Sequence, residues 1–187
     1  SLYFPSPLIN RSNGLEAGID GNRKDGRRNK NMTSGSSTHR AVAEFVGTAF
    51  LLMSVVGSGI MAENLSAGNN ALALLCNTLP TGAMLVVLIL IFGPISGAHF
   101  NPIVSLAFAI RGQLSSKELI IFVFAQIVGA LIGVWIAHGM FDLPLIQASL
   151  KARTGSGQWL AETIATLGLI MTIFGCLKRG HKPYPSP

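Results

Sequence analysis

Long stretches without charge constrain this chain more than any other feature of its sequence. No lysine or arginine occurs between Arg40 and Arg111, and the only acidic residues in that interval are Glu44 and Glu63. Charged residues make up 12% of the 187-residue chain, against roughly 25% in a soluble globular domain. Because a soluble protein needs charge on every outward-facing surface, this pattern indicates that lipid surrounds much of the chain.

Four apolar runs have the length of membrane-spanning helices. They are residues 45–62, 72–92, 119–137 and 159–177, and only the last contains a charge, Glu162. About 20 helical residues cross a hydrocarbon core of ~30 Å, and lipid offers no hydrogen bonds to an exposed backbone. A soluble helical bundle would need polar faces that these runs lack. The sequence therefore predicts an all-α membrane protein with its transmembrane domain at residues 41–178.

A fifth apolar segment, residues 101–110, is too short to cross a membrane. It follows Gly93-Pro94-Ile95-Ser96-Gly97-Ala98-His99-Phe100, a stretch poor in helix formers. Asn101 suits a helix cap and Pro102 suits the first helical position, so the segment predicts a re-entrant loop followed by a half-helix. The half-helix would direct its positive end at mid-membrane. The Asn101 amide could then donate to a passing oxygen, and the carbonyls of Gly97, Ala98 and His99 could accept on the approach.

The basic residues cluster outside the apolar runs and predict an orientation. Residues 1–40 are predicted to be a disordered basic tail, and residues 179–187 a short second tail. A solvated cytoplasmic tail is favoured over a nucleic-acid-binding one, because no aromatic residues or binding module accompany the charge. With the N-terminus inside, twelve of the 14 basic residues lie on the inner side, and only Lys151 and Arg153 lie outside. This asymmetry predicts a multi-pass protein of the plasma or inner membrane with a cytoplasmic N-terminus.

The first and last apolar runs are related by an internal repeat with an offset of 118 residues. The identities are Ala43/Ala161, Glu44/Glu162, Thr48/Thr166, Leu51/Leu169, Met53/Met171 and Gly57/Gly175. Three spans precede the second unit, so it starts from the opposite side of the membrane, which predicts an inverted repeat with its site at the midplane. A counterpart of the half-helix is expected near position 219. The chain is therefore expected to be truncated, with an incomplete second repeat.

Four motifs in order resemble those of the aquaporin, or major intrinsic protein, family. The segment from Ser96 to Ser105 is similar to that family's Ser-Gly-Ala-His-x-Asn-Pro-Ala-Val-Thr signature, with Ile103 and Ser105 as departures. The other three are Ala43-Glu44-Phe45-Val46-Gly47-Thr48, Ala125-Gln126 followed by Gly129-Ala130, and Glu162 with Thr166. The resemblance covers about residues 41–178. It implies an aquaporin-like helical bundle of four spans and one re-entrant half-helix.

The resemblance also implies roles for individual residues. Asn101 and Pro102 would form the pore constriction, and Thr81 would be the second-helix member of the outer selectivity filter. A threonine there leaves the pore wider and more polar, which favours small neutral solutes such as glycerol or metalloid hydroxides. Glu44 and Glu162 would be buried and would order the re-entrant loops, with Gln126 in support. The bulkier Ile103 would crowd the meeting point of two half-helices.

These features predict a channel for water or small neutral solutes, with a homotetramer in the bilayer implied by the resemblance. The alternatives are a non-conducting fragment of such a channel and, less favoured, a secondary transporter, which should carry ionisable residues near Asn101. Enzymatic activity, a cofactor and a metal are not indicated, because the sequence contains no nucleotide-binding glycine loop or nucleophile constellation. His99 and His138 have no Cys or acidic residue at a ligand spacing.

Overall fold

Five helices follow one another in the computed structural model, which describes residues 36–147 and 154–180. They are α1 (Ser37–Leu65), α2 (Asn70–Ser96), α3 (Pro102–Ile110), α4 (Ser116–Met140) and α5 (Ser156–Gly180). All except the nine-residue α3 are long and apolar enough to cross a membrane. The predicted all-α membrane fold, with four spans and one half-helix, is thereby confirmed. Residues 1–35 and 181–187, which include most of both predicted tails, lie outside the described residues.

Polar side chains placed just before the helices determine where they begin. Ser36 precedes α1, so the helix already includes four residues that the sequence assigned to the tail. Asn69 Oδ1 accepts hydrogen bonds of 3.1 Å from the N–H groups of Ala71 and Leu72 at the start of α2. Ser115 and Glu118 form a reciprocal capping box at the start of α4. These caps satisfy backbone donors that have no partner within the helix.

Helix α2 extends further than its sequence predicts. Residues 93–96 are helical although Pro94 lies among them, and the helix ends only at Gly97. Gly97 adopts a left-handed conformation with φ 97°, and its N–H donates to the Gly93 carbonyl at 3.0 Å. Proline is tolerated inside membrane helices because neighbouring groups can satisfy the freed carbonyl. The irregular segment is consequently reduced to the few residues between Gly97 and Asn101.

Helices α1 and α4 approach each other closely along two glycines of α4. A β-carbon at Gly129 would collide with the Phe45 carbonyl, and one at Gly133 would collide with the Ala49 carbonyl. Small residues four apart lie on one helix face and allow two backbones to come into contact within a membrane. The contact between α1 and α4 is the most extensive in the structure, and α2 packs on α1 beside it.

The remaining helices leave much apolar surface without a partner among the described residues. Among the described side chains of α5 none is buried, and in α2 only Leu88 and Ser96 are. Helix α5 contacts α3 through Phe174, whose ring lies 5.2 Å from that of Phe108. The Arg111 guanidinium lies 4.2 Å from the centre of the same ring. Such apolar faces require lipid or another protein surface around them.

The contact between α1 and α4 can be tested with two glycines of the same helix. Gly129→Ala places a methyl group against the Phe45 carbonyl, and we expect it to lower the free energy of unfolding by about 1–3 kcal/mol. Gly139→Ala is the control, because a β-carbon there meets nothing within 4 Å and alanine favours a helix by up to about 1 kcal/mol. Circular dichroism during titration with sodium dodecyl sulfate measures the free energy of unfolding of both variants. Equal stability of the two variants would contradict the described contact.

Candidate functional site

The loop between α2 and α3 has an unusual backbone conformation. Ala98 and Phe100 have φ values of 52° and 50°, in the left-handed region. Gly97 also has a positive φ, of 97°. Residues other than glycine rarely adopt this conformation, which costs of order 1–3 kcal/mol each. The surrounding structure must therefore hold the loop in place.

The carboxylate of Glu44 holds the loop through four hydrogen bonds. Its Oε1 accepts from Ser96 Oγ at 2.6 Å and from the His99 N–H at 3.0 Å. Its Oε2 accepts from the Phe100 N–H at 2.7 Å and from Gln126 Nε2 at 2.8 Å. Glu44 is 0% exposed, so these bonds replace the water that a charged group would otherwise need. The loop, α1 and α4 are thus joined at one side chain.

A second layer of hydrogen bonds lies beneath the first. Gln126 Nε2 also donates to Ser105 Oγ at 2.9 Å, and His99 Nδ1 lies 3.0 Å from the same oxygen. The His99 ring packs against Phe108 and Phe122, at centroid distances of 4.4 and 5.5 Å. His99 was expected to act through its backbone carbonyl alone, but its buried side chain is part of the support for α3.

A charged contact at the start of α1 was not predicted from the sequence. Arg40 forms an ion pair with Glu118, and its Nη2 lies 3.5 Å from the Ser96 carbonyl. Its guanidinium also lies 5.1 Å from the centre of the Phe122 ring. This residue therefore ties the start of α1 to the start of α4 and to the end of α2. By sequence, Arg40 groups with the other basic residues of the predicted tail.

Asn101 has one end of its amide fixed and the other end free. Its Oδ1 accepts a 2.8 Å hydrogen bond from the Ile103 N–H and caps α3. Since a backbone N–H can only donate, this bond fixes the oxygen toward the helix and turns Nδ2 away from it. Pro102 occupies the first turn of α3. The positive end of the helix and a side-chain donor therefore occupy the same place.

A cavity of about 250 Å³ adjoins this amide, and we call it the Asn101 cavity. It is lined by Thr48, Leu52, Phe100, Asn101, Pro102, Gln126, Ile127 and Ala130. Two buried polar atoms of lining residues, Thr48 Oγ1 and Gln126 Oε1, have no hydrogen-bond partner among the described residues and almost no accessible surface. Buried polar atoms are normally paired with protein or ordered water. The cavity thus has the Asn101 donor beside it, and none of its lining residues is ionisable.

Other predicted residues do not line the Asn101 cavity. Gly97, Ala98 and His99 are in the adjoining loop, and Thr81 lies elsewhere along α2, its Oγ1 3.4 Å from Asn77 Oδ1. Gly97 is the left-handed cap of α2 and Ala98 is strained beside it. Their conformations could not be read from the motif alone.

The expected burial of Glu162 is wrong. Its side chain is exposed on α5, and it lines an open cavity with Ile103, Thr163, Thr166, Leu167 and Ile170. Among the described residues no loop reaches Glu162, whereas the loop between α2 and α3 covers Glu44. Ile103, expected to be crowded, is 48% exposed. The two glutamates that the repeat relates therefore have opposite environments.

Comparison with known proteins agrees with the motifs at this site. The family model described as major intrinsic protein matches residues 31–186. The chain belongs to the major intrinsic protein family. Its fold is that of a multi-pass membrane protein of this family, and the described residues contain no cluster of three or more His, Cys, Asp or Glu that could bind a metal.

Three relatives illustrate the extent of the similarity to this major intrinsic protein. Aquaglyceroporin AqpS of Rhizobium meliloti is 51% identical over 79% of this chain and 63% of its own length. A probable aquaporin of NIP type from Nicotiana alata is 30% identical, over 72% of this chain and 48% of its own. Human aquaporin-1 is 32% identical, over 75% of this chain and 55% of its own length. The chain thus spans about half to five-eighths of these relatives' lengths.

The two repeat-related glutamates of this family member provide a matched test of the site. Glu44→Gln would leave an amide group facing two of the four donors, so we expect a loss of about 2–5 kcal/mol in unfolding free energy. Glu162→Gln should change stability little, because its side chain is exposed. Thermal unfolding in detergent, followed by circular dichroism, compares them. A Glu162→Gln loss as large as that of Glu44→Gln would contradict the described environments.

Proposed function

We propose that this chain forms a membrane channel that passes water or small neutral solutes and has its constriction at Asn101. The observation that carries the proposal is the Asn101 amide, whose oxygen is fixed in the cap of α3 and whose nitrogen is left to donate. A molecule in the Asn101 cavity would accept a hydrogen bond from Nδ2, beside Thr48 and Gln126 of the wall. Such a site offers hydrogen bonds to a neutral polar molecule without offering it a charge.

The electrostatics of the site favour neutral molecules over cations. The N-terminus of α3 carries a positive partial charge of about half an elementary charge, and the lining of the cavity contains no ionisable residue. The Glu44 carboxylate lies outside this lining, where four donors bind it. Pore width, lining hydrogen bonds and the positive ends of half-helices are general determinants of selectivity in aquaporin-type channels.

Two features favour solutes such as glycerol in addition to water. Thr81, at the position that the family resemblance gives to the outer filter, is small and carries a hydroxyl. One relative is named an aquaglyceroporin and is 51% identical over the matched region. We therefore propose glycerol and similar small hydroxylated molecules as substrates, and no enzymatic activity.

Two alternatives are retained. A secondary transporter would need an ionisable group at the site to couple flux to a gradient, and the residues that line the Asn101 cavity provide none. The other alternative is a non-conducting fragment of such a channel, and the match spans 63% of the aquaglyceroporin relative's length. Its single Asn-Pro pair would supply one side of a constriction.

We propose a cytoplasmic N-terminus, a plasma or inner membrane location and a homotetramer. The excess of basic residues beside the inner ends of the spans supports the orientation, and the uncovered apolar faces of α2 and α5 leave room for neighbouring subunits. Native mass spectrometry of the protein released from lipid nanodiscs should detect four copies. Protease should remove the tail only from inverted membrane vesicles. A monomer, or cleavage in right-side-out vesicles, would contradict the respective proposal.

Stopped-flow light scattering of proteoliposomes tests the channel. We expect water and glycerol flux with a low activation energy that is unaffected by a proton gradient. Asn101→Asp retains an oxygen to cap α3 and removes the Nδ2 donor, so glycerol flux should fall by about tenfold or more.

Thr172→Val is the control for this measurement. Its hydroxyl donates to the Gly168 carbonyl within α5, at 2.8 Å, on an exposed face. The glycerol flux of the Thr172→Val variant should equal that of the unsubstituted protein. Flux that follows a proton gradient would favour the transporter, and the absence of flux above that of empty liposomes would favour the fragment.

A further inference from the structure

A second cavity, which we call the outer cleft, opens between the far ends of α1 and α2. It has a volume of about 610 Å³ and is lined by Gly59, Glu63, Ser66, Gly68, Asn70, Ala73, Leu74 and Asn77. Six of these eight residues either have polar or charged side chains or are glycines that expose backbone. Polar groups inside membrane-spanning helices are costly and commonly mark a solute path.

The outer cleft lies on the same face of α1 as the Asn101 cavity. Glu63 and Gly59 line the cleft, and Leu52 and Thr48 line the Asn101 cavity. The intervals between these positions are four, seven and four residues, which is the spacing of one helix face. With a rise of 1.5 Å per residue, Gly59 lies about 16 Å along the helix from Thr48. The cleft therefore leads along α1 toward the Asn101 cavity.

Asn77 links the two helices at the inner part of the outer cleft. Its Oδ1 accepts from Ser58 Oγ on α1, at 2.8 Å, and lies 3.4 Å from Thr81 Oγ1 one turn further along α2. Since Oδ1 already accepts from Ser58, Nδ2 is the part of the amide left to donate. A β-carbon at Gly59 would lie 3.5 Å from Nδ2, an ordinary contact distance, so the amide borders Gly59.

The lining of the outer cleft offers both donors and acceptors. Asn77 and Asn70 carry amides, Ser66 a hydroxyl and Glu63 a carboxylate. An alcohol group, which both donates and accepts, is complementary to this combination.

We propose that the outer cleft is a binding subsite for a small polyhydroxylated neutral solute, recognised by the Asn77 amide before the solute reaches Asn101. This inference rests on the proposed channel function and names the place where the solute is first selected. The Glu63 carboxylate lies in the same wall and would repel anions of similar size. A purely structural Asn77, which only joins α1 to α2, would need no donor directed at the cleft.

Binding can be measured without flux by nuclear magnetic resonance of the full chain in lipid nanodiscs. With ¹⁵N-asparagine labelling, glycerol should shift the Asn77 side-chain amide in a saturable manner. The resonance is assigned by its loss in Asn77→Leu. Sodium acetate, an anion of similar size, should leave it unmoved.

Flux provides the second measurement. Asn77→Leu removes one hydrogen-bonding group from the subsite, worth about 0.5–1.5 kcal/mol, so the ratio of glycerol to water flux should fall by about threefold to tenfold. Thr78→Val is the matched control on the next residue of α2. The Thr78 hydroxyl donates to the Leu74 carbonyl of the same helix at 2.8 Å, and the side chain is exposed.

The outcomes separate this inference from the proposed function. A saturable shift of Asn77 together with the reduced flux ratio supports the subsite. A saturable shift without any flux supports the subsite and overturns the channel. Normal flux with an unmoved Asn77 amide overturns the subsite and leaves the channel intact. The subsite is likewise overturned if the ratio of glycerol to water flux falls as much in Thr78→Val as in Asn77→Leu.

Discussion

A buried carboxylate on α1 makes the rest of this structure possible. A chain that turns back within a bilayer exposes backbone N–H groups that lipid cannot satisfy. Glu44 accepts from two of these N–H groups and from two side chains, on three different elements of the fold. The left-handed conformations at Ala98 and Phe100 persist because this carboxylate holds them. Asn101 and the N-terminus of α3 are positioned as a consequence.

The first half of α1 combines this support with close packing. Gly47 leaves room for the Phe100 ring, which a β-carbon at that position would displace. Phe45 and Ala49 present their carbonyls to the two glycines of α4. Arg40, one turn before Glu44, pairs with Glu118 at the start of α4. Within three helical turns, α1 therefore contacts the loop, α2 and α4, which explains why a polar motif occurs inside a membrane span.

Patterns local in sequence predicted much of the fold and part of the site. The length of the apolar runs predicted four spans, and Asn101-Pro102 predicted the start of α3, because caps and hydrophobic length act over a few residues. Contacts between distant residues were not predictable in this way. The pairing of Arg40 with Glu118, and of Ser58 with Asn77, depends on how the helices pack. The repeat suggested equal roles for Glu44 and Glu162. Burial, however, depends on whether a loop packs over each residue. Among the described residues, a loop covers Glu44 and none covers Glu162.

The sequence separation of the Glu44 contacts has a consequence for biosynthesis. Its donors follow it by 52, 55, 56 and 82 residues, so all of them are synthesised after the carboxylate that they bind. A charged side chain in a membrane helix is costly until it has partners. The set of four donors is complete only once Gln126 of α4 has been made, so the site can form only after α1, α2 and α4 are all present.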